Sequence, residues 1–139
     1  MILILGVVLN NFNIGNLNKN IFGWIGILIS ILGFVIRLIA LLYLGKFYTR
    51  TVRIIDNHKV ISNGIYRHIR HPGYLGVILT FVGAAITIFN IYSMIYIIII
   101  MPISYVYRIN VEEQMLRDHF GKEYLRYMSK SWRLLPFIY

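Results

Sequence analysis

Residues 74–107, YLGVILTFVGAAITIFNIYSMIYIIIIMPISYVY, carry no charged side chain over 34 positions. One straight helix of that length would measure about 51 Å, far more than a hydrocarbon core of roughly 30 Å. The run therefore folds back, and the polar Asn90–Ser93 (NIYS) is the best place for a tight turn. This predicts a helical hairpin with arms at 74–89 and 92–116. The second arm spans the membrane over about 92–107 and continues into a charged segment. The first arm is short for a span, which puts the turn below the far surface.

Upstream, residues 21–45 (IFGWIGILISILGFVIRLIALLYLG) hold a single charge, Arg37. At 1.5 Å per residue the stretch reaches about 37 Å, enough to cross with some tilt. Residues 1–9 (MILILGVVL) are apolar but too few for a full span, and lack the basic start and small-residue cleavage site of a signal peptide. They read as a partial first helix, followed by an Asn-rich polar loop from Asn10 to Asn20. Composition agrees. The chain has 139 residues, 58% hydrophobic and 14% charged, with a mean hydropathy of +0.69. A soluble domain of this size cannot cover so much apolar surface, and a disordered chain would not contain it. The expectation is one integral membrane domain over 1–139: an all-α, polytopic transmembrane helical bundle.

The net charge of +9 would suggest nucleic acid in a soluble protein. Here the cations cluster beside spans: six in 46–73 and six in 108–139, against Lys19 alone in the Asn-rich loop. The positive-inside rule places 46–73 and 108–139 together in the cytoplasm, facing anionic membrane lipids, with no role for nucleic acid. The absence of cysteine excludes disulfides, thiolate metal sites and a cysteine nucleophile. Gly26 and Gly33, and likewise Gly76 and Gly83, lie seven apart, about two helical turns, so each pair lines one face. These faces serve either packing within the chain or a homo-oligomer.

Two polar segments hold the candidate chemistry. In Asp56–Gly76 (DNHKVISNGIYRHIRHPGYLG), Asn63-Gly64 marks a turn and Pro72 disfavours helix at His71. Interfacial anchoring explains Arg67, His68 and Arg70 as well as a ligand would, but does not call for a rigid His71-Pro72 turn with Tyr74 beside it. His68 and His71 are three apart, yet no carboxylate–histidine set completes a metal site, and none is expected. In Arg108–Tyr127 (RINVEEQMLRDHFGKEYLRY), Glu112, Met115, Leu116, His119 and Phe120 share a helical face, and Gly121 supplies a C-cap. Arg108 and Glu112 are four apart where this helix leaves the bilayer, suited to an anionic headgroup and a cationic or hydroxyl-bearing ligand. Glu113, Arg117 and Asp118 read as surface ion-pair residues. The tail Ser129–Tyr139 (SKSWRLLPFIY) returns to apolar character and is expected to dock on the membrane surface, covering the site.

Arg70-His71-Pro72-Gly73-Tyr74-Leu75-Gly76, followed after the hairpin by Glu112-Glu113, Leu116, Phe120-Gly121, Tyr124 and Tyr127, resembles the isoprenylcysteine carboxyl methyltransferase family and its membrane phospholipid methyltransferase relatives. The resemblance covers about residues 46–137. It implies S-adenosyl-L-methionine as cofactor, held in a cytoplasmic C-terminal cofactor-binding region. Cofactor contacts carry over to His58, Lys59, Val60, Ile61, Tyr66, His71, Pro72, Gly73, Tyr74 and Glu112, and the arginine that orients a substrate carboxylate to Arg108. Thr51 stands where the family has a glutamine, and the amino-terminal membrane portion is shorter than in eukaryotic members.

The residues accord with that chemistry. Displacement at a sulfonium by a carboxylate requires alignment and a cation rather than a general base, because the nucleophile is ionised near neutral pH. The expected activity is methylation of an isoprenylcysteine-like or other lipophilic carboxylate entering from the bilayer of an inner or plasma membrane. Three alternatives stand beside it: a phospholipid or small lipophilic amine as acceptor, a sterol-reductase-like enzyme using NADPH, and a non-enzymatic scaffold binding anionic lipid.

Overall fold

The computed structural model describes residues 21–45, 60–88 and 91–136. The partial helix expected at 1–9, the Asn-rich loop, Thr51, His58 and Lys59 lie outside these residues. Four helices are described: α1 (Phe22–Leu44), α2 (Pro72–Ile88), α3 (Ile91–Phe120) and α4 (Lys122–Met128), with a 3₁₀ turn at Gly64–Arg67. The described residues are thus all-α apart from one isolated bridge, Ile69 to Trp132. Both α1 and α3 are long and apolar enough to cross a membrane, whereas α2, at 17 residues, is a shorter apolar helix.

Helix boundaries follow local chemistry. Pro72 opens α2, where its missing N–H costs nothing and its fixed φ suits the first turn. Gly121 (φ +52°) ends α3 in the left-handed region that β-carbons disfavour. Ile91, Tyr92 and Ser93 are already helical, so these three positions take no part in the turn expected at Asn90–Ser93, and Asn90 lies outside the described residues. Pro102 is accommodated within the 30 residues of α3.

The chain divides into two compact units. The described part of the first comprises 21–35, 76–88 and 91–104. In it, α1 and α2 meet through their glycines. A β-carbon at Gly33 would stand 2.5 Å from Thr80 N and 2.7 Å from Gly76 O, and one at Gly26 would stand 2.6 Å from Gly83 O. Ser30 Oγ donates to Thr80 O (3.0 Å) across the same seam. Such close approach is how helices gain dispersion where lipid removes the hydrophobic drive. Both glycine faces are consumed inside the chain, so an oligomer through them loses its surface. The outer side of α1 bears Trp24, Leu28 and Leu32, all exposed, as lipid-facing residues would be.

The second unit has described residues 36–45, 60–75 and 105–136. Its core gathers Ala40, Tyr66, Ile69, Leu75, Ile109, Tyr124 and Leu134. Tyr66 Oη donates to Ala40 O (3.4 Å), while Tyr127 Oη donates to Tyr66 O (2.7 Å). The tail pairs with the segment before α2. Trp132 N donates to His68 O (2.8 Å), Arg70 N to Trp132 O (2.7 Å) and His71 N to Arg133 O (3.2 Å). A Trp132 indole 42% exposed and an exposed Leu135 flank this pairing.

Candidate active site

Every contact of the candidate site lies within the second unit. Tyr74, in the first turn of α2, projects toward the stretch of α3 that carries Arg108 and Glu112. Its hydroxyl donates to Glu112 Oε2 (2.6 Å) and accepts from Arg108 Nε (2.9 Å). Arg108 also lies 5.8 Å from the Tyr74 ring centroid, and the Tyr105 ring is 5.2 Å away on the other helix. Arg108 and Glu112 are four apart on α3, and the Tyr74 hydroxyl joins them. A half-buried carboxylate, an exposed guanidinium and aromatic faces are thereby assembled from residues 34–38 apart in sequence.

The other expected residues have different places. His71 is 5% exposed, and its Nε2 is 3.2 Å from Glu113 Oε1. Pro72 is fully buried and Gly73 half-buried, the latter with Ala40 Cβ 3.9 Å from where its own β-carbon would be. Tyr66 is buried with its hydroxyl on Ala40 O, and burial pushes its phenol well above the ordinary value. Val60 and Ile61 are half-buried at the start of the described segment. The structure thus joins Tyr74, Arg108 and Glu112 directly, and buries His71, Pro72 and Tyr66 in the same unit.

The sequence reading of Glu113 as a surface ion-pair residue is overturned. Glu113 is 1% exposed and accepts from Arg70 Nε (2.9 Å) and Arg133 Nη2 (2.7 Å), with His71 Nε2 3.2 Å from its Oε1. Burial alone would raise its pKa; the bonds from His71, Arg133 and Arg70 outweigh it and hold the carboxyl at about 2. Arg70 also donates through Nη1 to Met128 O (3.1 Å) and to Ser131 O. Arg133 reaches Asn110 Oδ1 as well (2.6 Å). A consecutive pair of acids on a helix points in directions about 100° apart, so Glu112 faces Tyr74 while Glu113 turns inward. The signal was available: Ile109, Glu113, Leu116 and Phe120 form an i, i+4, i+7, i+11 stripe that shares Leu116 and Phe120 with the face assigned to Glu112. Arg117, half-buried, donates to the Gln114 side-chain oxygen, and Asp118, exposed, accepts from the Gln114 side-chain amide.

Two apolar helices of membrane-spanning length, in a chain that also carries a polar cluster built by a His-Pro-Gly-Tyr helix start and a Glu-Glu helix, are those of an all-α membrane-associated protein. A profile of the isoprenylcysteine carboxyl methyltransferase family matches residues 24–118. A probable protein-S-isoprenylcysteine O-methyltransferase of Oryza sativa subsp. indica is 38% identical over 117 residues, covering 83% of this chain and 61% of that protein. The protein-S-isoprenylcysteine O-methyltransferase of Saccharomyces cerevisiae is 32% identical over 116 residues, covering 82% and 48%. The solved structure of the eukaryotic intramembrane Ras methyltransferase superposes with a TM-score of 0.79 at 29% identity, covering 84% of this chain and 43% of that one. The chain belongs to the isoprenylcysteine carboxyl methyltransferase family. It spans 61% of the rice protein's length and less than half of the solved chain's.

Proposed function

We propose that this protein is an integral membrane methyltransferase that uses S-adenosyl-L-methionine to methylate the carboxylate of an isoprenylcysteine-like or other lipophilic acceptor. The observation that carries the reading is the Tyr74 hydroxyl bonded to both Glu112 and Arg108, in a chain of this family. The donor set suits such a cofactor: an anionic carboxylate for its cationic or hydroxyl-bearing portions, aromatic faces for apolar ones, and a guanidinium for an acceptor carboxylate. When bound, the cofactor supplies a methyl group on a sulfonium.

The chain's own residues then have separable tasks. Glu112, Tyr74 and Gly73 hold the cofactor, with Val60 and Ile61 completing its surroundings; His71, Pro72 and Tyr66 set the position of that wall, and the contacts that the family resemblance gives to His58 and Lys59 fall outside the described residues. Arg108 orients the acceptor carboxylate, which is already ionised and needs no base. The buried underside formed by Glu113 and Tyr124 keeps water from one side of the reaction. In this reading α1 and α3 cross an inner or plasma membrane, α2 and α3 form the hairpin, and segments 46–73 and 108–139 face the cytoplasm. The acceptor enters sideways from lipid. Family membership favours methyl transfer over a nicotinamide-dependent reductase or a lipid-binding scaffold.

The test is radiolabelled methyl transfer in membranes with a small prenylcysteine analogue, its amide, and phosphatidylethanolamine. Label is expected on the acid and not the amide, and is expected to be lost in Arg108→Ala. Transfer to phosphatidylethanolamine instead would make Glu112 a proton acceptor for an amine and replace the carboxylate reading.

A further inference from the structure

Beyond closing the underside of the site, Glu113 gathers three basic side chains from two distant segments: Arg70, His71 and Arg133. We propose that Glu113 is a positioning residue of this site, holding the His71 imidazole as its Nε2–H tautomer and strapping residues 131–133 onto residues 68–71. What the positioned imidazole serves rests on the methyltransferase reading; the strap and the tautomer do not.

The argument for the tautomer is one of donors and acceptors. Guanidinium groups only donate, and two of them, Arg70 (2.9 Å) and Arg133 (2.7 Å), bind this carboxylate at 1% exposure. So flanked, the carboxylate is ionised and can only accept. The imidazole nitrogen 3.2 Å from Oε1 must therefore carry a hydrogen. In the neutral ring this leaves Nδ1 with a lone pair, able to accept from a hydroxyl or ammonium group. The opposite tautomer would set two lone pairs together at Oε1 and turn an N–H outward. His71 directly precedes α2, and its ring centroid is 5.6 Å from that of Tyr74, the residue that bonds Glu112 and Arg108. The state of the imidazole is thus set on one side by Glu113 and expressed on the other beside the candidate site.

The strap follows from the same carboxylate. Oε2 takes Arg133, whose carbonyl accepts from His71 N (3.2 Å); Oε1 takes Arg70, whose N–H donates to Trp132 O (2.7 Å) and whose guanidinium binds the Met128 and Ser131 carbonyls. Remove the charge, and two half-buried guanidiniums lose the anion they share. The tail then keeps its backbone bonds and the bonds of Arg70 to Met128 O and Ser131 O and of Arg133 to Asn110, but loses the shared anion that fixes both guanidiniums, and the segment that positions His71 loosens.

The test uses the full chain in lipid nanodiscs. Nitrogen NMR of labelled histidine, at a pH where the ring is neutral, is expected to show His71 protonated at Nε2 and bare at Nδ1. An Nδ1–H ring would overturn the proposal without any substitution being made. In Glu113→Gln the side-chain amide can offer its own N–H to the ring, so the tautomer population is expected to move toward Nδ1–H. Loss of the ordered network is expected to raise the KM for S-adenosylmethionine about tenfold, with kcat changed by less than about threefold, since Arg108 is untouched. An unchanged tautomer together with an unchanged KM in Glu113→Gln also overturns the proposal. Should wild-type protein neither bind S-adenosylhomocysteine nor transfer methyl groups, the methyltransferase reading fails, and the tautomer measurement still decides the role of Glu113.

Discussion

Acidifying the protein removes the one charge on which Arg70, His71 and Arg133 converge, and the cost can be worked from the structure. The Glu113 carboxyl sits at about 2 against a reference of 4.5: its burial works the other way, and the bonds from His71, Arg133 and Arg70 prevail. A carboxylate with a depressed folded-state pKa stabilises the fold above its unfolded value, and that contribution drains away as pH falls through the folded one. The window therefore runs from 4.5 down to about 2, and the depression corresponds to about 3 kcal/mol at neutral pH. Glu113→Gln is expected to lose a similar amount at pH 7, about 3 kcal/mol, because the two half-buried guanidiniums are left without their anion. Denaturant unfolding of detergent-solubilised protein, followed by tryptophan fluorescence between pH 2 and 7, reads both effects. Other carboxylates titrate in the same range, so the difference between the two proteins is the relevant quantity. It is expected to be constant above pH 5 and to shrink toward zero at pH 2. Parallel curves, or equal stability at pH 7, would refute the claim that this carboxylate ties the unit together.

Tyr74→Phe removes the hydroxyl that joins Glu112 to Arg108 and is expected to slow methyl transfer about tenfold with little change in unfolding free energy, since one half-buried hydrogen-bond bridge is lost without a cavity. Gly33→Leu places a side chain against Thr80 N and Gly76 O, backbone atoms that cannot rotate away, and is expected to destabilise the protein by at least about 2 kcal/mol. Gly23→Ala, which meets nothing within 4 Å, is the matched control and is expected to leave stability unchanged.

The helices were legible because apolar length is a local property: 34 uncharged residues cannot be one span, and Pro72 and Gly121 punctuate their own neighbourhoods. The intrachain glycine seam was half legible. Spacing marked the faces, but only tertiary structure pairs Gly26 with Gly83 and Gly33 with Gly76. The Tyr74, Arg108 and Glu112 cluster could be assembled from motif and helix phase. Glu113 was misread because its partners lie 42–43 residues upstream and 20 downstream, and an acid beside cations looks the same in sequence whether it is solvated or buried. The pairing of residues 68–71 with 131–133 had no sequence signal either, since each is a short irregular stretch with neither strand nor helix periodicity.

The central claim is that the stretch before and including the start of α2 and the charged half of α3 form one site for one nucleoside cofactor. Hydrogen–deuterium exchange on the full chain in nanodiscs, with and without S-adenosylhomocysteine, tests it most directly. Slowed exchange is expected in both 60–75 and 105–120, and is expected to disappear from both in Glu112→Gln. Slowing confined to one stretch, or to neither, would contradict it.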